Sequence, residues 1–149
     1  MSWILKYPEL VCCMAGWMVA SLLKIPIFYF INKRFDFRQA FGTGGMPSSH
    51  SALMISTTLG IGLFDGFNDP AFALAIAISM IVLYDAAGVR RQAGMHAERI
   101  NRIFQELWAG KPIGEKELKE MLGHTPIEVM GGILTGILTA LFVWLVWPK

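Results

Sequence analysis

Charge is scarce in this chain of 149 residues: 16% of them are Asp, Glu, Lys or Arg, where soluble domains carry about 25%. Cysteine is scarcer still, and Cys12 and Cys13 stand side by side in an apolar run. Neighbours in a helix point about 100° apart, so the pair does not bridge and implies neither a disulfide scaffold nor a redox compartment. There is no internal repeat and no low-complexity segment. The formal net charge of +2 is too small to imply a polyanion, so nucleic acid is not an expected partner. What is abundant is apolar: 54% of residues are hydrophobic, which excludes disorder and points to the membrane.

The apolar residues fall into four runs. The first, 8–31, is broken only by Glu9 and Lys24 and is long enough for a tilted crossing of a hydrocarbon core of roughly 30 Å. Trp3 and Tyr7 precede it and Asn32-Lys33-Arg34 close it, as interfacial rings and charges do. No small-residue cleavage site follows, so it reads as an uncleaved span. The second run, 51–67, is short and holds Gly60 and Gly62. Asp65-Gly66-Phe67-Asn68-Asp69-Pro70 is a compact turn into the third run, 71–89, which has no charge before Asp85. The fourth, 126–147, ends in the interfacial rings Trp144 and Trp147. Its Gly132-x-x-x-Gly136 suits close helix approach, either inside the chain or between two copies.

Residues 90–123 differ in kind. Charges alternate with Ile100, Ile103, Phe104 and Leu107, then with Leu118, Met121 and Leu122. That spacing predicts two amphipathic helices broken at Gly110-Lys111-Pro112 and lying on the membrane surface, although a solvated connector with an apolar underside has the same pattern. The expected architecture is therefore all-α: one domain, 1–149, a polytopic membrane bundle of four transmembrane helices with amphipathic surface helices between spans three and four. Four crossings put both termini on one side and the 32–50 loop, the connector and the start of the last span on the other. Ten of the 13 Lys and Arg lie on that second side, against Lys6 and Lys149 on the first. The positive-inside rule then places the polar face in the cytoplasm, with a bacterial plasma membrane as the expected location.

Three strings on that face carry possible chemistry. Gly42-Thr43-Gly44-Gly45-Met46-Pro47-Ser48-Ser49-His50 leads into span two. Backbone freedom, hydroxyls and a helix N-terminus make an anion site, and His50 can give a proton to a departing oxygen. The same string also reads as a Gly-rich loop with serine caps. Gly123-His124-Thr125-Pro126-Ile127-Glu128 opens span four as a capping box with Pro at the first helical position. Glu128, one turn after His124, can instead hold the imidazole by one nitrogen and aim the other for attack. Asp85 to Arg91 closes span three with Arg90 and Arg91, and Lys33, Arg34 and Arg38 precede the glycine string. Such cations bind phosphate oxygens or simply fix topology. Lys24, inside a span, calls for a polar cavity or a partner such as a bound anion.

Together these strings resemble the type 2 phosphatidic acid phosphatase superfamily, and more closely its divergent branch of small four-span membrane proteins. Gly-Gly-Met-Pro-Ser-Ser-His and Tyr84-Asp85-Ala86-Ala87-Gly88-Val89-Arg90-Arg91 carry the likeness, which extends over nearly the whole chain. The resemblance implies hydrolysis of a lipid phosphomonoester through a phosphohistidine, with no metal and no cofactor. By it, His124 is the nucleophile, Glu128 its orienting carboxylate and His50 the general acid. Ser48, Ser49, Lys24, Arg34 (or Lys33), Arg90 and Arg91 hold the phosphate.

The sequence departs from the superfamily pattern at several points. Ser49 stands for the usual glycine and Glu128 for aspartate. Lys24 and Arg34 are more widely spaced than usual and no Arg-Pro pair is present. Between Arg91 and His124 lie 32 residues (92–123), where five are usual. His96 has the usual spacing from Arg90, but Ile100 follows where a carboxylate belongs.

The expected partners are thus a lipid phosphate and the surrounding membrane lipids, with a homodimer through Gly132 and Gly136 as one further use of that motif. The alternatives are a degenerate relative that binds an anionic headgroup without turnover, or a small transporter or scaffold. Orientation is open to direct test: a C-terminal alkaline phosphatase fusion, active only outside the cytoplasm, should be active. Activity of only a cytoplasm-dependent reporter at that position would reverse the assignment.

Overall fold

The structure is a computed structural model that describes residues 6–40, 42, 44–107 and 123–148, with the backbone alone at Arg90, Arg91 and 105–107. Among the described residues it is all helical. The helices are α1 (Pro8–Asn32), α2 (Ser49–Phe64), α3 (Pro70–Ala87), α4 (Val89–Leu107) and α5 (Pro126–Val146), with a short 3-10 turn at Phe37–Ala40.

Local sequence sets the ends of each helix. Ser48 caps α2 by accepting the Ser51 N–H at 3.3 Å, Asp69 caps α3 through the Ala71 N–H at 2.7 Å, and Pro70 and Pro126 occupy first turns. After the Asp65 C-cap, Gly66 takes φ 112°, a value open to glycine, and the chain turns into α3. This turn and the Ser48 cap make α2 shorter than the predicted 51–67, and shift it. At 16 residues it is about 24 Å long. Among the described residues three helical runs are long and apolar enough to cross a membrane: α1, the run Pro70–Phe104 that contains α3, and α5.

α2 is central. It runs antiparallel to α1, where Gly60 of α2 lies against Cys12, and antiparallel to α3, where the Thr58 and Ser79 hydroxyls meet at 2.8 Å. It runs parallel to α5, with Gly132 against Ser48 at one end and Phe64 against Trp147 at the other. The two ring centroids of that last pair are 5.9 Å apart.

Small residues fill the centre. Ala20, Ala52, Ala140 and Cys12 are buried, and the largest side chains wholly withdrawn from the surface are Cys12, Ser48, Ser51 and Ser56. Large apolar side chains point outward instead, among them Met18, Leu22, Leu74, Ile81, Leu138 and Phe142. A water-soluble domain buries the latter class. Lipid reverses the preference, and helices then associate through backbone approach and interhelical hydrogen bonds. Of the two uses the sequence leaves open for Gly132-x-x-x-Gly136, the internal one is seen: both glycines face α2.

α4 follows α3 after a break at Gly88 and alternates charged with apolar residues. Ile103 and Phe104 are exposed on it, and Arg102 pairs with Glu98 at 3.4 Å. The second predicted amphipathic helix, and the break at 110–112, lie outside the described residues.

A methyl at Gly136 would stand 2.7 Å from the Ala52 carbonyl oxygen, whereas one at Gly131 would meet only the flexible end of Met46 at 3.2 Å. Gly136→Val is therefore expected to destabilise the purified protein by about 1–3 kcal/mol or more. Gly131→Ala should be close to neutral. Thermal unfolding in detergent distinguishes the two.

Candidate functional site

One end of the bundle gathers the α2 and α5 N-termini, the α3 C-terminus and Lys24 of α1. Backbone bonds fix the arrangement. The Ser48 N–H donates to the Glu128 carbonyl at 2.9 Å, and the His124 N–H donates to the Ala86 carbonyl at 3.1 Å. The α2 and α5 N-termini thus lie together, each contributing a positive dipole end.

His124 is buried, with 5% of its surface exposed. Its Nδ1 is 3.1 Å from Glu128 Oε2, and the same oxygen accepts the Thr125 N–H at 3.0 Å. Thr125 Oγ1 in turn accepts the Glu128 N–H at 3.4 Å. The sequence offered a capping box and a histidine support as two readings of Glu128. Both exist at once, on one oxygen. With Nδ1 committed to a carboxylate, reaction at this imidazole falls to Nε2, and a positive charge on the ring is stabilised. His50, exposed in the first turn of α2, faces it with ring centroids 6.3 Å apart. The two histidines are thus brought together from positions 74 apart in the chain.

Lys24 lies on the buried face of α1, with Cys12, Gly16, Ala20 and Ser21. Only 3% of it is exposed, and Nζ donates to the Gly42 carbonyl at 3.1 Å. Among the described residues the Gly42 carbonyl is its one hydrogen-bond acceptor, and Glu128 is near enough for its charge to act on the ammonium. One turn deeper on α1, Ser21 Oγ is buried with no hydrogen-bond partner among the described residues. A buried donor left unmatched costs about 1–3 kcal/mol.

The other expected residues fall in different places. Ser48 is wholly buried, and its hydroxyl both caps α2 and accepts the Ser51 hydroxyl at 2.9 Å. Ser49 is buried at the first position of α2. Arg90 and Arg91 begin α4 within five residues of Ala86, which puts their backbone at this end; their side chains are outside the described residues. Lys33, Arg34 and Arg38 are exposed in the loop past α1. α1 runs on for eight residues beyond Lys24, about 12 Å, before that loop begins. His96 is exposed on α4 and lines a separate open groove with Tyr84 and Gln92. Among the described residues, no three His, Cys, Asp or Glu side chains converge as a metal group would.

Sequence reasoning missed the Ala86 and Gly42 carbonyls, which carry no side-chain signal. It also missed Ser21 and Ser51, although each lies three residues from a polar partner position on its own helix.

The two roles of Glu128 separate by mutation. Thr125→Ala should lower stability by about 1 kcal/mol, the usual worth of a cap, and leave the His124 ring resonances in place. Glu128→Gln should leave melting nearly unchanged and shift the His124 Nδ1 resonance in histidine ¹⁵N spectra.

The model of the divergent PAP2 family matches residues 5–139. The chain is 36% identical, over 152 aligned residues, to a protein of Bacillus subtilis (strain 168) described as uncharacterized membrane protein YuiD, with 95% of this chain and 96% of the relative covered. No solved structure matches it.

Proposed function

The chain belongs to the divergent PAP2 family, and from this premise we propose that it is a membrane-embedded phosphatase that hydrolyses a lipid phosphomonoester through a phosphohistidine. The observation that carries the reading is the buried His124 imidazole, held at Nδ1 by Glu128 and faced by His50. In the first step His124 Nε2 attacks phosphorus, the ester P–O bond breaks, and His50 protonates the departing alcohol oxygen. In the second, water attacks the phosphohistidine, the P–N bond breaks, and His50 takes the proton. Lys24, Ser49, Arg90 and Arg91 hold the phosphoryl oxygens, and the α2 and α5 dipoles favour the charge that develops on them.

Membrane geometry favours a lipid. We take α2 as the fourth crossing, with the site-bearing end cytoplasmic. α2 is about 24 Å long and the hydrocarbon core roughly 30 Å thick. A site at the tip of a short helix lies inside the level at which the longer α1 ends, so a substrate reaches it from the bilayer rather than from open water.

Ser49 favours a second reading, in which the protein holds an anionic headgroup without turning it over. It puts a buried side chain where the superfamily's glycine lets backbone approach the anion.

Phosphate release from a panel of lipid phosphates by the detergent-solubilised protein, with EDTA present, tests both. Turnover should survive EDTA. His124→Ala should abolish it by at least about a thousandfold, and His50→Ala should lower it by about 10²–10⁴. Binding without turnover by folded protein would support the second reading. A requirement for metal would overturn the mechanism.

A further inference from the structure

Beyond the end of α1 lies a surface that the proposed chemistry does not use. Tyr29 and Phe35 stack at 4.3 Å with their planes 25° apart, and Phe37 continues the row at 6.4 Å from Phe35. Phe30 meets Tyr29 edge-on at 5.9 Å. Phe30, Phe35 and Phe37 are 69%, 65% and 71% exposed. The row exists because Lys33 ends α1 in the left-handed conformation, φ 55°, which turns the chain back so that Phe35 covers Tyr29. Three open rings on one short segment are unfavourable in water. They are at home at the membrane boundary, where a span ends.

Cations are interleaved with these rings. Lys33 Nζ is 6.0 Å from the centre of the Phe30 ring, and Arg34 and Arg38 are exposed beside it. The one acid of the segment, Asp36, is already engaged: one oxygen accepts the Arg38 N–H at 3.0 Å and the other the Gln39 side-chain amide at 3.4 Å. The segment therefore offers three cations to the outside against one occupied carboxylate. α1 ends about 12 Å beyond Lys24, and the chain then returns past Arg38 to Gly42, whose carbonyl accepts from the Lys24 ammonium, so the segment adjoins the histidine site on its outer side.

We propose that the segment from Tyr29 to Arg38 is a docking site for an anionic membrane phospholipid. The ring row lies along the glycerol and upper acyl chain, and Lys33, Arg34 and Arg38 meet the phosphodiester. Charge complementarity selects the headgroup, and the exposed rings select a lipid over a free anion. This site stands whether or not the protein is a phosphatase.

Native mass spectrometry of the delipidated full chain in detergent, with phosphatidylglycerol and phosphatidylcholine added in equal amounts, reads the selection directly. Three cations near an anionic headgroup predict a preference for phosphatidylglycerol of at least about tenfold. The K33Q/R34Q/R38Q variant should reduce it to within about twofold, while R99Q/R102Q on α4 keeps it. F35A/F37A, all of whose changes are at exposed rings, should weaken retention of both lipids. No preference in the wild type would overturn the proposal, as would a preference that survives the triple change or falls equally with the α4 change. Displacement of the lipid by millimolar inorganic phosphate would show a site for a free anion instead, and would overturn it too.

Discussion

The close approach of α2 to α1 and α5 sets everything else. In lipid, apolar side chains gain little from meeting each other, so helices hold together where backbones come near enough for dense packing. Gly16, Gly60, Gly132 and Gly136 make that approach possible, and among the described residues nothing larger than serine or cysteine is wholly enclosed between the helices. The consequence reaches the site. Because Gly132 lies against Ser48, the starts of α2 and α5 are held side by side, and His50 and His124 face one another across that seam. The two imidazoles are placed by the smallest residues of the chain.

The two ends of the molecule are built differently. Away from the site, Phe64 and Trp147 meet edge-on and Phe67 and Phe72 pack at 5.1 Å, an aromatic closure beside which Glu9 and Asp65 lie together. At the site end the contacts are polar: a lysine on a carbonyl, a histidine on a carboxylate, and two backbone bonds between elements. Unequal helix lengths sharpen the contrast. α1 has 25 residues and α2 has 16, so α1 continues past the shared end as a wall. Lys24, close to the shared end, is enclosed, while the cations beyond it are not.

Much of this was legible from residue order. Apolar runs located α1, α3 and α5 within one or two residues, because hydrocarbon permits few alternatives to a helix. His124 rather than His96 was legible as the partner of His50, since only His124 has a carboxylate one turn on. The extent of α2 was not, because Leu63, Phe64 and Phe67 are equally apolar and only the conformation of Gly66 separates helix from turn. Nor was the position of Arg34. Its distance in sequence from Lys24 says nothing of how far α1 continues, and that depends on where Lys33 turns left-handed. Ser48 shows a third limit. A hydroxyl at a helix start suits both an anion and a cap, and residue order does not show that this one is buried and caps α2 through the Ser51 N–H.

The bond from the His124 N–H to the Ala86 carbonyl joins the end of α3 to the start of α5 directly. Whatever the chain does between those residues, it must return to the same point. The imidazole is therefore anchored from behind by a helix that ends 37 positions earlier in the chain: a substitution that displaces the end of α3 displaces the ring with it.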